Sequence, residues 1–153
     1  MKEQNKVILL IEDEQRDEAL ILRVFKKNNI SNHIVVAHDG VEALDFLFGT
    51  GTFTGRDPRD LPEVILLDLK LPRIDGLEVL RRIRQDDRFK LVPVVILTSS
   101  DEERDRIAGY ELGANSYVKK PVEFGEFSEA VRQLGLYWLL LNRPPHLRAD
   151  EHG

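Results

Sequence analysis

Polar side chains stand at the ends of apolar runs in this chain. Glu12 and Asp13 follow the run Val7 to Ile11, Asp68 follows Val64 to Leu67, and Thr98 follows Val94 to Leu97. Lys120, ahead of Pro121, closes a short segment that begins at Ser116. Carboxylates gathered in one place repel and call for a cation. With oxygen ligands and no cysteine in the chain, the natural choice is Mg2+, octahedral and partly hydrated. A carboxylate held on such an ion can act as a nucleophile toward phosphorus. The ion, an ammonium and a hydroxyl can then stabilise the phosphoryl oxygens. Taken singly, Asp13 and Thr98 also read as helix caps and Lys120 as a solvated charge. Asp68 does not, because it sits between Leu67 and Leu69 at the end of a wholly apolar run, where an unpaired carboxylate is costly.

For these groups to meet, the runs that precede them must lie side by side. Val7 to Ile11, Val64 to Leu67 and Val94 to Leu97 are continuous and rich in branched residues, as strands buried on both faces are. His33 to Ala37 and Ser116 to Val118 read as shorter strands. Between them lie helical patterns: Ile21, Leu22 and Phe25, ending near Asn28-Asn29; Val41 to Phe48 after the Asp39-Gly40 turn; and Leu77, Leu80 and Ile83 after Asp75-Gly76. Ser100 and Glu103 form a capping box for a fourth helix. The last carries Phe124, Phe127, Val131, Leu134, Trp138 and Leu141 at steps of three and four. Gly49 to Leu61, with three glycines and Pro58, is the longest loop. Five strand–helix units of this kind predict an α/β fold: a parallel sheet with helices on both faces and its chemistry outside the carboxyl ends of the strands.

Composition narrows the function classes. The 153 residues fit one core, 42% are hydrophobic, 32% are charged, and the net charge of −5 argues against non-specific nucleic-acid binding. The absence of cysteine excludes disulfides, thiolate metal sites and cysteine nucleophiles. The N-terminus is polar, and Val7 to Ile11 is too short for a signal sequence or a membrane span, so a cytoplasmic protein is expected. Asn29-Ile30-Ser31 matches a glycosylation sequon but has no export signal to give it meaning.

Glu12-Asp13, Asp68, Thr98 and Lys120-Pro121 together resemble the receiver domain of two-component response regulators. Leu66-Leu67-Asp68-Leu69-Lys70-Leu71-Pro72 followed by Asp75-Gly76 is similar to that family's phosphoacceptor loop, and the resemblance spans about residues 6 to 135. It implies a flavodoxin-like (βα)5 fold, a doubly wound parallel sheet of strand order 2-1-3-4-5. It implies that Asp68 is the phosphoacceptor, that Asp13, Asp68 and the backbone carbonyl of Lys70 bind Mg2+, and that Glu12 acts through metal-bound water. Thr98 would hydrogen-bond the phosphoryl group, Lys120 would pair with it through a cis bond to Pro121, and Tyr117 would be the aromatic switch coupled to Thr98. Glu12 departs from the aspartate common at its position. Such a protein is not an enzyme beyond Mg2+-dependent self-phosphorylation and self-dephosphorylation.

More narrowly, three features are similar to the stand-alone response regulators of bacterial phytochrome histidine kinases. They are the Gly49 to Leu61 loop, Gly113-Ala114-Asn115-Ser116-Tyr117, and the stretch Leu136 to Pro145. The expected partner is therefore a sensor histidine kinase of the bacteriophytochrome type. A receiver domain over 6–142 and a short polar tail over 143–153 leave no place for DNA-binding or enzymatic output. The signal would pass by protein contact or onward phosphotransfer. Tyr137 to Leu141 is apolar almost all round the helix, which predicts a homodimer or partner surface on Tyr137, Trp138 and Leu141. Two alternatives stand beside this reading. A Mg2+-dependent aspartyl-phosphate phosphatase of the haloacid-dehalogenase type would want an aspartate two residues after the nucleophile, where this chain has Lys70. A phosphorylation-independent adaptor would not need Asp13, Asp68, Thr98 and Lys120.

Overall fold

The apolar runs become the strands of one sheet in a computed structural model that describes residues 7–30, 32–98, 103–119 and 124–135. The elements follow the expected alternation: β1 (Val7–Ile11), α1 (Gln15–Lys27), β2 (His33–Ala37), α2 (Gly40–Phe48), β3 (Val64–Leu67), α3 (Gly76–Gln85), β4 (Val94–Thr98), α4 (Glu103–Glu111), β5 (Ser116–Lys119) and α5 (Phe124–Gly135). Short 3-10 turns at Gly51–Phe53 and Asp87–Phe89 interrupt the connections before β3 and β4. All strand pairs are parallel and the order is β2-β1-β3-β4-β5, as the resemblance implied.

Alternation along each strand divides the interior in two. Leu9, Ile11, Ile65, Leu67, Val94 and Ile96 pack with Leu44 and Leu47 of α2 and Leu80 and Ile83 of α3. Ile8, Leu10, Val64, Leu66, Val95 and Leu97 pack with Ile21, Val24 and Phe25 of α1 and Phe127 of α5. Because helices cover both faces, every second residue is apolar as well as every first, and the strands read as unbroken runs.

The helix boundaries have local causes. Asp39 and Asp75 accept the backbone N–H groups of Glu42 (2.8 Å) and Glu78 (3.0 Å), capping α2 and α3. Asn28 ends α1: its side-chain amide donates to Val24 O (2.8 Å) and to Ser128 Oγ of α5 (3.1 Å), so one residue closes a helix and ties two together. The connection from Gly49 to Leu61 is held by Arg56, whose guanidinium donates to Phe46 O (2.9 Å), lies 3.8 Å from the Phe46 ring centroid and also bonds Asp60 O. The Ser100 cap, the Lys120-Pro121 bond, and Tyr137, Trp138 and Leu141 lie outside the described residues.

Candidate functional site

Register brings the acidic residues together. β1 and β3 are neighbours with Ile11 opposite Leu67, so the next residues along, Glu12 and Asp68, leave the sheet side by side. The ladder runs one step past the strands: Asp68 N–H donates to Ile11 O (3.0 Å), and Glu12 N–H to Ala37 O (2.9 Å). One carboxylate oxygen each from Glu12, Asp13 and Asp68 then falls within 4.8 Å of the other two. Glu12 is 1% exposed, Asp68 is 6% exposed, and Asp13 faces solvent.

Two buried carboxylates this close repel, if both are ionised, by on the order of 3 kcal/mol at an effective dielectric of about 20. Backbone donors offset part of that: Glu14 N–H reaches Glu12 Oε2 (3.1 Å) and Lys70 N–H reaches Asp68 Oδ1 (3.2 Å). The donor set of the cluster is oxygen throughout, which fits a hard divalent cation. A fourth oxygen is close in sequence. The Leu69 carbonyl is taken by Gly76 N–H (2.8 Å) and Leu71 N–H (3.2 Å), whereas among the described residues no hydrogen bond ends on the Lys70 carbonyl.

The loop from Asp68 to Asp75 is shaped by two glycines that sequence alone reads only as turn formers. Gly76, the first residue of α3, sits against the loop so tightly that a Cβ there would lie 2.3 Å from the Asp68 carbonyl oxygen and 2.6 Å from Leu69 Cα. Gly40, the first residue of α2, presses on the far end, where a Cβ would lie 2.1 Å from the Ile74 carbonyl oxygen. Between them Arg73 takes a left-handed backbone conformation (φ 72°), and its guanidinium lies 4.0 Å from Asp39.

The remaining expected residues divide. The backbone of Thr98 ends β4, next to β3, and pairs with Lys119 of β5, so it reaches the same rim. Lys120 is the next residue and lies outside the description. Tyr117 is in β5 opposite Ile96, partly buried against the interior shared by α2 and α3. Arg84 was not singled out by its sequence context. It donates to the carbonyls of Phe89, Lys90 and Gly113 and to Asn115 at the opposite edge of the sheet.

Comparison with known proteins places this geometry. Residues 8–132 match the response regulator receiver domain. The response regulator Rcp1 of Synechocystis sp. is 41% identical over 134 residues, 88% of this chain and 89% of that protein; its Mn2+-bound structure superposes with a TM-score of 0.82. The phosphorylated cyanobacterial phytochrome response regulator RcpA is 33% identical, with a TM-score of 0.83 over 92% of this chain and 99% of its own. The bacteriophytochrome response regulator RtBRR is 49% identical, with a TM-score of 0.76 over 92% of this chain and 84% of its own. A parallel sheet in the order 2-1-3-4-5, an acidic cluster at its carboxyl rim and a match over most of the chain make this protein a member of the response regulator receiver family, whose role is phosphoacceptor signalling with a histidine kinase.

Proposed function

We propose that Asp68 takes a phosphoryl group from the phosphohistidine of a sensor kinase, and that the kinase is of the phytochrome type. The observation that carries the first part is the buried Asp68 carboxylate within 4.8 Å of those of Glu12 and Asp13. In the transfer, an Asp68 carboxylate oxygen forms a bond to phosphorus, the phosphorus–nitrogen bond breaks, and the imidazole nitrogen keeps the electron pair. Asp13, Asp68 and the Lys70 carbonyl would hold Mg2+, and Glu12 would contribute through water. Bound there, the ion supplies positive charge to the phosphoryl oxygens. Lys120 pairs with the same oxygens, and Thr98 donates its hydroxyl to them. Hydrolysis reverses the state when water attacks phosphorus and Asp68 leaves as carboxylate. Acetyl phosphate with Mg2+ adds one phosphoryl group to the wild type by intact mass, and Asp68→Asn takes none; equal labelling of the two defeats the reading.

The phytochrome partner rests on the likeness to RtBRR and RcpA. Phosphotransfer profiling against the histidine kinases of one genome tests it: fastest transfer from a kinase with no bilin-binding domain counts against it. Among the described residues no helix is long and apolar enough to cross a membrane. The receiver unit is taken as 6–142, with output through a symmetric dimer that uses Tyr137, Trp138 and Leu141. Light scattering gives a dimer for the wild type and a monomer for Trp138→Glu; a monomer in both cases removes the dimer from the scheme.

A further inference from the structure

Helix α4 has little with which to hold the sheet. Its apolar residues are Ile107, Ala108 and Tyr110, with Gly109 among them, and Ile107 and Tyr110 are 48% and 49% exposed. Its close approach is made at Gly109, where a Cβ would lie 2.6 Å from Ile96 Cδ1 of β4. The same Ile96 is the register partner of Tyr117 on β5. One β4 side chain thus lies against α4 at Gly109 and stands opposite Tyr117 in the sheet, and Tyr110 follows Gly109 directly. The turn after the helix sets the geometry further: Gly113 N–H donates to Tyr110 O (3.0 Å), Ala114 N–H donates to Gly109 O (2.9 Å), and Gly113 has φ 96°. The outcome is a ring pair, Tyr110 and Tyr117, with centroids 6.4 Å apart and planes tilted by 40°. This lies inside the range in which aromatic side chains attract beyond simple burial.

We propose that Tyr110 is a positioning residue for Tyr117: its ring holds the Tyr117 ring with the two centroids 6.4 Å apart and so sets how readily that ring moves. The inference rests on Tyr117 being the aromatic switch that the resemblance to receiver domains implies. Thr98 is two residues beyond Ile96 in β4, so the strand that ends at the phosphoacceptor rim also carries the contact that seats Tyr110. Tyr110 is half exposed, so the ring pair reaches the surface. An ordinary surface contact between two tyrosines would have the same distance but would leave the Tyr117 populations alone when Tyr110 is changed.

The test uses the full chain labelled with 3-fluorotyrosine and fluorine NMR, with the Tyr117 signal assigned by Tyr117→Phe. Spectra are taken with and without acetyl phosphate and Mg2+. An aromatic contact of this kind changes a two-state ratio by about two- to twelvefold. Tyr110→Leu is expected to lower the ring-paired population of Tyr117 by that factor before phosphorylation, and Tyr110→Phe, which keeps the ring, to leave it as in the wild type. A wild-type Tyr117 signal that moves on phosphorylation, with a starting position unchanged by Tyr110→Leu, overturns the role of Tyr110 alone. So does a Phe variant that behaves like Leu, because the ring would then not be the operative group. A wild-type Tyr117 signal indifferent to phosphorylation overturns the switch reading and this inference with it.

Discussion

Gly76→Ala lowers the stability of the domain by about 3 kcal/mol and prevents phosphorylation of Asp68 even in the fraction that folds. A single methyl is a small addition, and at most helix starts alanine is the better residue. Here it has nowhere to go. Its Cβ would overlap the carbonyl oxygen of Asp68 and the Cα of Leu69, both backbone atoms, so no side-chain rotation relieves the clash. Relief requires α3 to withdraw or the loop to move. Withdrawal opens the packing of Val79, Leu80 and Ile83, all fully buried. Movement of the loop shifts the Asp68 carboxylate away from Glu12 and Asp13 and breaks the bond from Gly76 N–H to Leu69 O. Urea unfolding measures the first effect and acetyl phosphate labelling of the folded protein the second. A variant within about 0.5 kcal/mol of wild type that labels normally shows the close approach to be dispensable.

The second large effect is expected far from the acidic cluster. Arg84→Ala costs about 3 kcal/mol of stability, and Arg84→Lys restores less than half of it. The guanidinium uses all five of its N–H donors. Nη1 reaches Phe89 O (2.9 Å) and Lys90 O (3.1 Å), Nε and Nη2 share Gly113 O (3.2 and 2.9 Å), and Nη2 also reaches Asn115 Oδ1 (3.2 Å). Asn115 Oδ1 also accepts Val94 N–H (2.8 Å), and Asn115 N–H returns a bond to Val94 O (2.8 Å). One side chain thereby fastens the end of α3 to the connections that enter β4 and β5. Burial lowers its pKa from the usual arginine value, yet the group stays charged, and charge-assisted bonds to carbonyls are the strong kind. A lysine ammonium is a point donor and cannot span these four separate acceptors. Because Arg84 lies at the edge of the sheet opposite Asp68, the variant that remains folded still labels with acetyl phosphate. Chemical denaturation of the three proteins decides the matter, and a loss under about 1 kcal/mol for Arg84→Ala rejects it.

The order of elements and the acidic rim were legible in the sequence for a physical reason. A strand covered on both faces must be apolar throughout, so Val64 to Leu67 announces itself, and a charged residue such as Asp68 that ends it has few ordinary explanations. Asp39-Gly40 and Asp75-Gly76 were legible as turns into helices, whereas the capping of α2 and α3 by Asp39 and Asp75 emerged from the structure. What stayed hidden depends on contacts between segments distant in the chain. Arg84, near the end of an exposed helical pattern, has the local context of a solvated charge, and its acceptors at Gly113 and Asn115 come some thirty residues later. Gly40 and Gly76 announce turns, but their need for hydrogen in place of a side chain follows only from where Ile74 O and Asp68 O lie. Tyr110 belongs to a helix whose apolar residues form no clear stripe, and its partner ring is recognisable only once α4 and β5 are placed side by side.

The division of the interior into two, one with α1 and α5 and one with α2 and α3, bears on how such a protein can change over generations. Substitutions that share no partners add their effects, whereas those that share a packing neighbourhood do not. Among the described residues the two clusters lie on opposite faces of the sheet, so alterations around Ile21, Val24 and Phe127 are largely blind to alterations around Leu44, Leu80 and Ile83. Epistasis is thus confined to one side of the sheet at a time. A lineage can drift on the α1–α5 side toward a new neighbour while Ile96, Tyr117 and the helices against them keep their adjustment, and the reverse holds equally.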